Sequence, residues 1–205
     1  MIEKAIAKTV SILFHPILYP IYGFLLLFFF DDYFVIRLIP RAKLSLAGIV
    51  SLNTFVMPLL LLYVLKRRKV IQSLSLKTKE ERIYPLIIGL VFYLTTWFMI
   101  YRLQIFNLYA DILLLASIIT AFAIGINFFF KISLHSMGAM AFSSALLSVS
   151  YQYEIQMNSL IIIAFLLTGL IASARLVLNA HKPSEVYVGL VLGFLVSQMY
   201  FMISL

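Results

Sequence analysis

The chain has no cysteine, which removes disulfide frameworks, thiolate metal sites and cysteine nucleophiles together. Charge is nearly as scarce. Only 12% of its 205 residues are Asp, Glu, Lys or Arg, whereas a soluble domain carries roughly a quarter. Acidic residues are the scarcest, 8 against 16 basic, for a net charge of +8. So few charges cannot cover the surface of a soluble globule. What is present in excess is apolar side chain, 63% of the residues, with a mean hydropathy of +1.06. That excludes disorder, which requires low hydrophobicity and high charge. The expectation is an all-α polytopic transmembrane helix bundle, with residues 1–205 forming a single transmembrane domain.

A membrane span needs about 20 apolar residues. Seven stretches qualify, near 10–30, 44–65, 83–101, 109–130, 133–150, 158–178 and 184–204. The fourth and fifth are separated by only Lys131 and Ile132, and the fifth is short, so six to seven spans are expected. The short gaps between spans imply neighbours in one bundle. The first apolar run is too long for a signal peptide and no small-residue cleavage site follows it, so it reads as an anchor. No repeat, low-complexity segment or glycine-rich phosphate loop is evident.

The basic residues are unevenly shared between the two faces. Counting spans alternately, the N-terminus and the loops near 66–82, 131–135 and 179–184 lie on one face. That face holds twelve of the sixteen basic residues, and Arg37, Arg41, Lys43 and Arg102 lie on the other. The positive-inside rule assigns the richer face to the cytoplasm, with a bacterial inner membrane as the expected location. Anionic membrane lipid and topology account for the positive charge better than nucleic acid does.

Three polar clusters stand on the basic face, whichever way the chain points, because an even number of crossings separates them. The first, Lys77 to Pro85, enters the third span. The second, Ser133-Leu134-His135-Ser136, enters the fifth. The third, Arg175 to Glu185, joins the sixth and seventh. Ionisable residues at such positions are functional candidates. Cations and a helix N-terminus suit a phosphate, and Pro183 suits the first turn of the last span. Glu185 follows His181 by four residues, so the two can meet across one helical turn. A carboxylate on one imidazole nitrogen leaves the other available for attack. His135 is then a candidate to protonate a leaving oxygen. The set reads as metal-free phosphoryl transfer through a phosphohistidine.

At these residues the sequence resembles the type 2 phosphatidic acid phosphatase (PAP2) superfamily, whose motifs are K-x6-R-P, P-S-G-H and S-R-x5-H-x3-D. Arg175-x5-His181-x3-Glu185 keeps both spacings of the third motif, with Glu for Asp and Ala174 for Ser. Ser133 and His135 match the second, with Leu134 for Gly and Ile132 for Pro. In the first, Arg82 matches, Pro85 comes two positions late, and Ser75 stands where a lysine is usual, so that Lys79 or Lys77 takes its place. The motif-bearing core covers about 75–205. The resemblance implies a PAP2-like six-helix core, a nucleophilic His181 oriented by Glu185, and His135 as general acid. It also implies that Lys79, Arg82, Ser133 and Arg175 bind phosphate. The implied activity is metal-independent hydrolysis of a lipid phosphate, such as phosphatidic acid, phosphatidylglycerol phosphate or a polyprenyl phosphate or diphosphate. The alternative is a non-hydrolysing relative that binds or transports a phosphorylated lipid. A small-solute transporter would need a polar path that the apolar second, fourth and seventh spans do not offer.

The remaining polar residues have structural readings. His15 precedes Pro16 in the first span and marks a proline kink, with lining the pocket as the alternative. Asn53 and Asn127 are intramembrane amides that join helices. Asp111 and Glu154 fall on the opposite face. Gly189 and Gly193, and Gly169 with Ser173, have the small-x-x-x-small spacing of close helix packing. The first pair could alternatively form a homodimer face. The three histidines are far apart in sequence and no carboxylates cluster with them, so neither a metal site nor a cofactor is expected.

Overall fold

The computed structural model describes residues 2–34, 37–70 and 79–204, without the side chains of residues 79–81. Lys77 and Thr78 of the first cluster, and Ser75 before it, lie outside the described residues. Among those described, the long elements are all α-helices: α1 Ile2–Leu13, α2 Tyr19–Phe29, α3 Pro40–Ser51, α4 Met57–Arg67, α5 Lys79–Arg102, α6 Leu108–Asn127, α7 Leu134–Gln152, α8 Asn158–Val177 and α9 Pro183–Ile203. Six stretches are long and apolar enough to cross a membrane: Ile2–Phe29, Pro40–Arg67, Arg82–Arg102, Leu108–Asn127, Asn158–Val177 and Pro183–Ile203. The chain is an all-helical polytopic membrane protein.

Two prolines explain how the first two spans differ from single regular helices. Pro16 has no N–H to continue α1, so α1 stops at Leu13 and a 3₁₀ turn at Pro16–Leu18 leads into α2. Pro58 likewise has no N–H for the Thr54 carbonyl four residues back. The ladder widens into a π turn at Leu52–Val56, and the Met57 N–H reaches the Leu52 carbonyl, before the helix resumes as α4.

The fifth expected span is a helix of the expected length, α7, but it is not among the six. It carries buried Ser136, Ser143 and Ser144, and its neighbours satisfy them. Ser143 Oγ and Thr168 Oγ1 of α8 are 2.9 Å apart. Gln198 of α9 donates to Ser144 Oγ at 2.7 Å and to Ser148 Oγ at 2.9 Å. A helix walled in by other helices has little need of apolar side chains all round, and interhelical polar contacts join it to them.

The contacts divide the chain into two compact units where the short loops suggested one bundle. The first unit is built from residues up to Tyr19 with those from Phe129 onward, and the second spans Pro20–Phe128. In the first, α7 packs on α8 and α9, and α1 packs on α8. Ala7, Val10, Ala139, Ile171 and Ala174 are buried together where α1, α7 and α8 meet. Gly189 and Gly193 are the places where α9 lies directly on the α7 backbone. A Cβ on Gly189 would stand 2.9 Å from the Ser133 carbonyl, and one on Gly193 would run into the Met137 carbonyl. This small-residue pair therefore serves packing inside the chain. The second pair does not: Ser173 is exposed and bonds its own helix at Gly169, and among the described residues nothing lies within 4 Å of a Cβ on Gly169.

In the second unit, α5 packs on α6 and the aromatic rings of Phe24, Phe28 and Tyr109 cluster at 5.5–6.0 Å. Lys43 reaches Asp31 at 2.6 Å and also donates to the Phe28 carbonyl at 3.1 Å. Asn53 joins its segment to α5 through a weak contact with Met99 Sδ, 4.0 Å away.

Candidate active site

Three helix ends of the first unit converge. α7 begins at Ser133, whose extended backbone and hydroxyl form an N-cap that accepts from the Ser136 N–H at 3.4 Å. The Ser133 N–H donates to the Glu185 carbonyl at 3.1 Å, which ties the start of α7 to the first turn of α9. α8 ends through Asn179, which adopts the left-handed conformation (φ 50°) that asparagine tolerates better than most residues. The Ala180 N–H then returns to the Arg175 carbonyl at 3.1 Å and closes the helix end. Lys131 Nζ donates to the Ala180 carbonyl at 3.4 Å and holds the turn that delivers His181.

Pro183 starts α9, and Glu185 sits in its first turn. Glu185 Oε2 accepts from the Lys182 N–H at 3.3 Å and from His181 Nδ1 at 2.6 Å. One carboxylate thus satisfies a free donor of the helix end and orients the imidazole. The two side chains are only 5% and 11% exposed, so this contact is shielded from solvent. A carboxylate oxygen accepts only, so the bond keeps the proton on Nδ1. Neutral His181 then carries its lone pair on Nε2.

The other half of the site comes from α7, α8 and the end of α1. His135 Nε2 lies 3.0 Å from the Ser11 carbonyl. Arg175 Nη1 donates to Ser11 Oγ at 3.2 Å. The His15 and His135 rings meet edge to face, with centroids 5.0 Å apart and planes at 87°. His15 Nδ1 in turn accepts from the Ile17 N–H at 3.4 Å. Among the described residues, no group of three or more His, Asp or Glu side chains is arranged to hold a metal ion.

The expected second and third clusters therefore come together in one unit. His181 pairs with Glu185, His135 and Arg175 share Ser11, and Ser133 binds the Glu185 backbone. Ser133 is fully buried, and its hydroxyl caps α7 through Ser136. Lys79 and Arg82 open α5 in the second unit, where Arg82 is buried. Ser11 and His15 are additions. The sequence favoured a proline kink for His15, with lining the pocket as the alternative; Ser11 carried no signal of its own.

Residues 127–204 match the model of the PAP2 superfamily. The PAP2 match takes in Ser133, His135, Arg175, His181 and Glu185 and leaves out the first cluster and α1. No curated protein and no solved structure matches the chain. The match over that stretch supports a phosphatase-type function in general.

Proposed function

We propose that the protein is an integral membrane lipid-phosphate phosphatase that works through a phosphohistidine on His181. The observation that carries this reading is the 2.6 Å contact between Glu185 and His181 Nδ1 at the start of α9. It leaves Nε2 as the nucleophile and stabilises the cation that forms when that nitrogen is phosphorylated. In the first step His181 Nε2 bonds to phosphorus and the bond from phosphorus to the leaving oxygen breaks. Protonated His135 gives that oxygen its proton and a lipid alcohol departs, or a lipid monophosphate if the substrate is a diphosphate. In the second step water bonds to phosphorus, its proton passes to His135, and the phosphorus–nitrogen bond breaks to release phosphate. Arg175 holds the charge that builds on the phosphoryl oxygens. Lys79 and Arg82 enter this reading through the family resemblance alone.

Placement supports a lipid phosphate as substrate. The cluster lies at helix ends of an apolar bundle, so a head group can enter while its tails stay in lipid. Phosphatidic acid, phosphatidylglycerol phosphate and polyprenyl phosphates and diphosphates share the required chemistry. The excess of basic residues on the motif face favours a cytoplasmic site. A single cysteine introduced at exposed Ser184 should escape a membrane-impermeant thiol reagent on intact cells, and labelling there would place the site outside.

The reading is tested by phosphate release from a panel of these lipids by the purified protein in detergent, with EDTA present. Turnover by the parent and none by His181→Ala is expected. A folded parent inactive on every lipid, yet binding one of them, would favour a head-group binding protein.

A further inference from the structure

The match to the PAP2 superfamily begins at residue 127, yet two of its candidate residues are held by a residue of α1. The reason lies in the backbone. In an uninterrupted helix the Ser11 carbonyl would accept from the His15 N–H, and the Ile12 carbonyl from the N–H of residue 16. Residue 16 is proline and has none. The His15 N–H instead bonds the Ile12 carbonyl, at 3.3 Å. This frees the Ser11 carbonyl, one of the acceptors that a helix end must satisfy by other means. His135 Nε2 occupies it at 3.0 Å. The same residue's hydroxyl accepts from Arg175 at 3.2 Å, and the ring of His15 closes against His135.

We propose that the N-terminal helix is a working part of the site: the carbonyl that Pro16 frees on Ser11 holds His135 by Nε2, which makes Nδ1 the atom that exchanges protons with the substrate, and the Ser11 hydroxyl fixes Arg175. A carbonyl can only accept, so Nε2 keeps its hydrogen throughout. The proton given to the leaving oxygen departs from Nδ1, and the proton taken from the attacking water returns there. Ser11 touches no reacting atom in this scheme and is a positioning residue. Its two arms act on different quantities, the carbonyl on proton transfer and the hydroxyl on phosphate contact. The inference rests on the phosphatase reading for its catalytic meaning, but the bond it describes can be measured without turnover.

The test combines nitrogen NMR of histidine-labelled full-length protein in detergent with kinetics. The three histidines are assigned by substituting each in turn. Parent His135 is expected to carry its hydrogen on Nε2 when neutral. Pro16→Ala restores the missing N–H, lets the helix reclaim the Ser11 carbonyl, and should give a mixed or Nδ1–H tautomer. A parent His135 protonated on Nδ1, or a Pro16→Ala spectrum identical to the parent's, would overturn the proposal. In kinetics, Pro16→Ala should lower kcat about tenfold or more with little change in KM. Ser11→Ala should mainly raise KM, and Ser11→Thr, which keeps the hydroxyl, should restore it. Equal KM values for Ser11→Ala and the parent would remove the Arg175 arm. A parent without turnover would defeat the phosphatase reading, and the tautomer measurement would still decide the positioning.

Discussion

The two compact units treat their charged side chains in opposite ways. In the second, Asp31 is buried and meets Lys43 at 2.6 Å, and Lys43 has a backbone carbonyl as a further acceptor. The exposed Asp32 lies 3.3 Å from Arg37. These acids face bases one to one, beside an aromatic cluster. In the first unit, Glu185 stands beside His181, while Lys131, Arg175, His15 and His135 are held by carbonyl, hydroxyl and ring contacts. For Lys131 and His135 the partner is a neutral backbone carbonyl. In one unit the contacts pair acid with base, and in the other a histidine–carboxylate pair stands beside side chains held by backbone, hydroxyl and ring contacts.

Substitutions can sharpen or break that contrast. The largest effect is expected for His181→Ala, which should cut phosphate release by about 10³-fold or more, because no other group takes over a covalent step. Glu185→Gln comes next, with a loss of about 10²-fold from an imidazole no longer held in its reactive tautomer. Glu185→Ala should add about 0.5–2 kcal/mol of destabilisation, since the carboxylate also caps α9. Thermal melts in detergent separate these two effects.

Gly193→Ala should destabilise by about 1–3 kcal/mol, because its Cβ meets α7 backbone that cannot step aside. Gly169→Ala, with open space around it, should be neutral or stabilising by up to about 1 kcal/mol. In the second unit, Asp31→Asn should cost about 1–3 kcal/mol, less than for a fully buried pair because Lys43 is 27% exposed, and KM should stay unchanged. A raised KM there, without a change in stability, would erase the distinction between the units. Ser143→Ala, which breaks one interhelical hydrogen bond, should cost only about 0.6 kcal/mol.

Much of this arrangement was legible in the sequence. The apolar runs marked the helices, and the i,i+4 spacing of His181 and Glu185 brought that pair together before any coordinates. The second and third clusters, which the sequence reading grouped, lie together in the first unit. What hydropathy could not reveal was which helices share contacts, so the division into two units was hidden. α7 falls outside the six by composition because its serines lower its hydropathy, although buried Ser143 and Ser144 meet neighbouring helices. That Ser133 also caps α7 was not read from the sequence. Ser11 escaped notice because half of its role belongs to a backbone carbonyl, which every residue has. Only the missing N–H of Pro16, seen with the fold in hand, makes that carbonyl available.

The central claim is that His181 carries the phosphoryl group between two steps. The most direct measurement is to mix the purified protein with radiolabelled lipid phosphate, stop the reaction with base within one turnover, and follow the label on the protein. The account predicts a base-stable, acid-labile phosphoprotein in the parent and none in His181→Ala. Phosphate release by the parent with no trapped label, or equal labelling of His181→Ala, would contradict it.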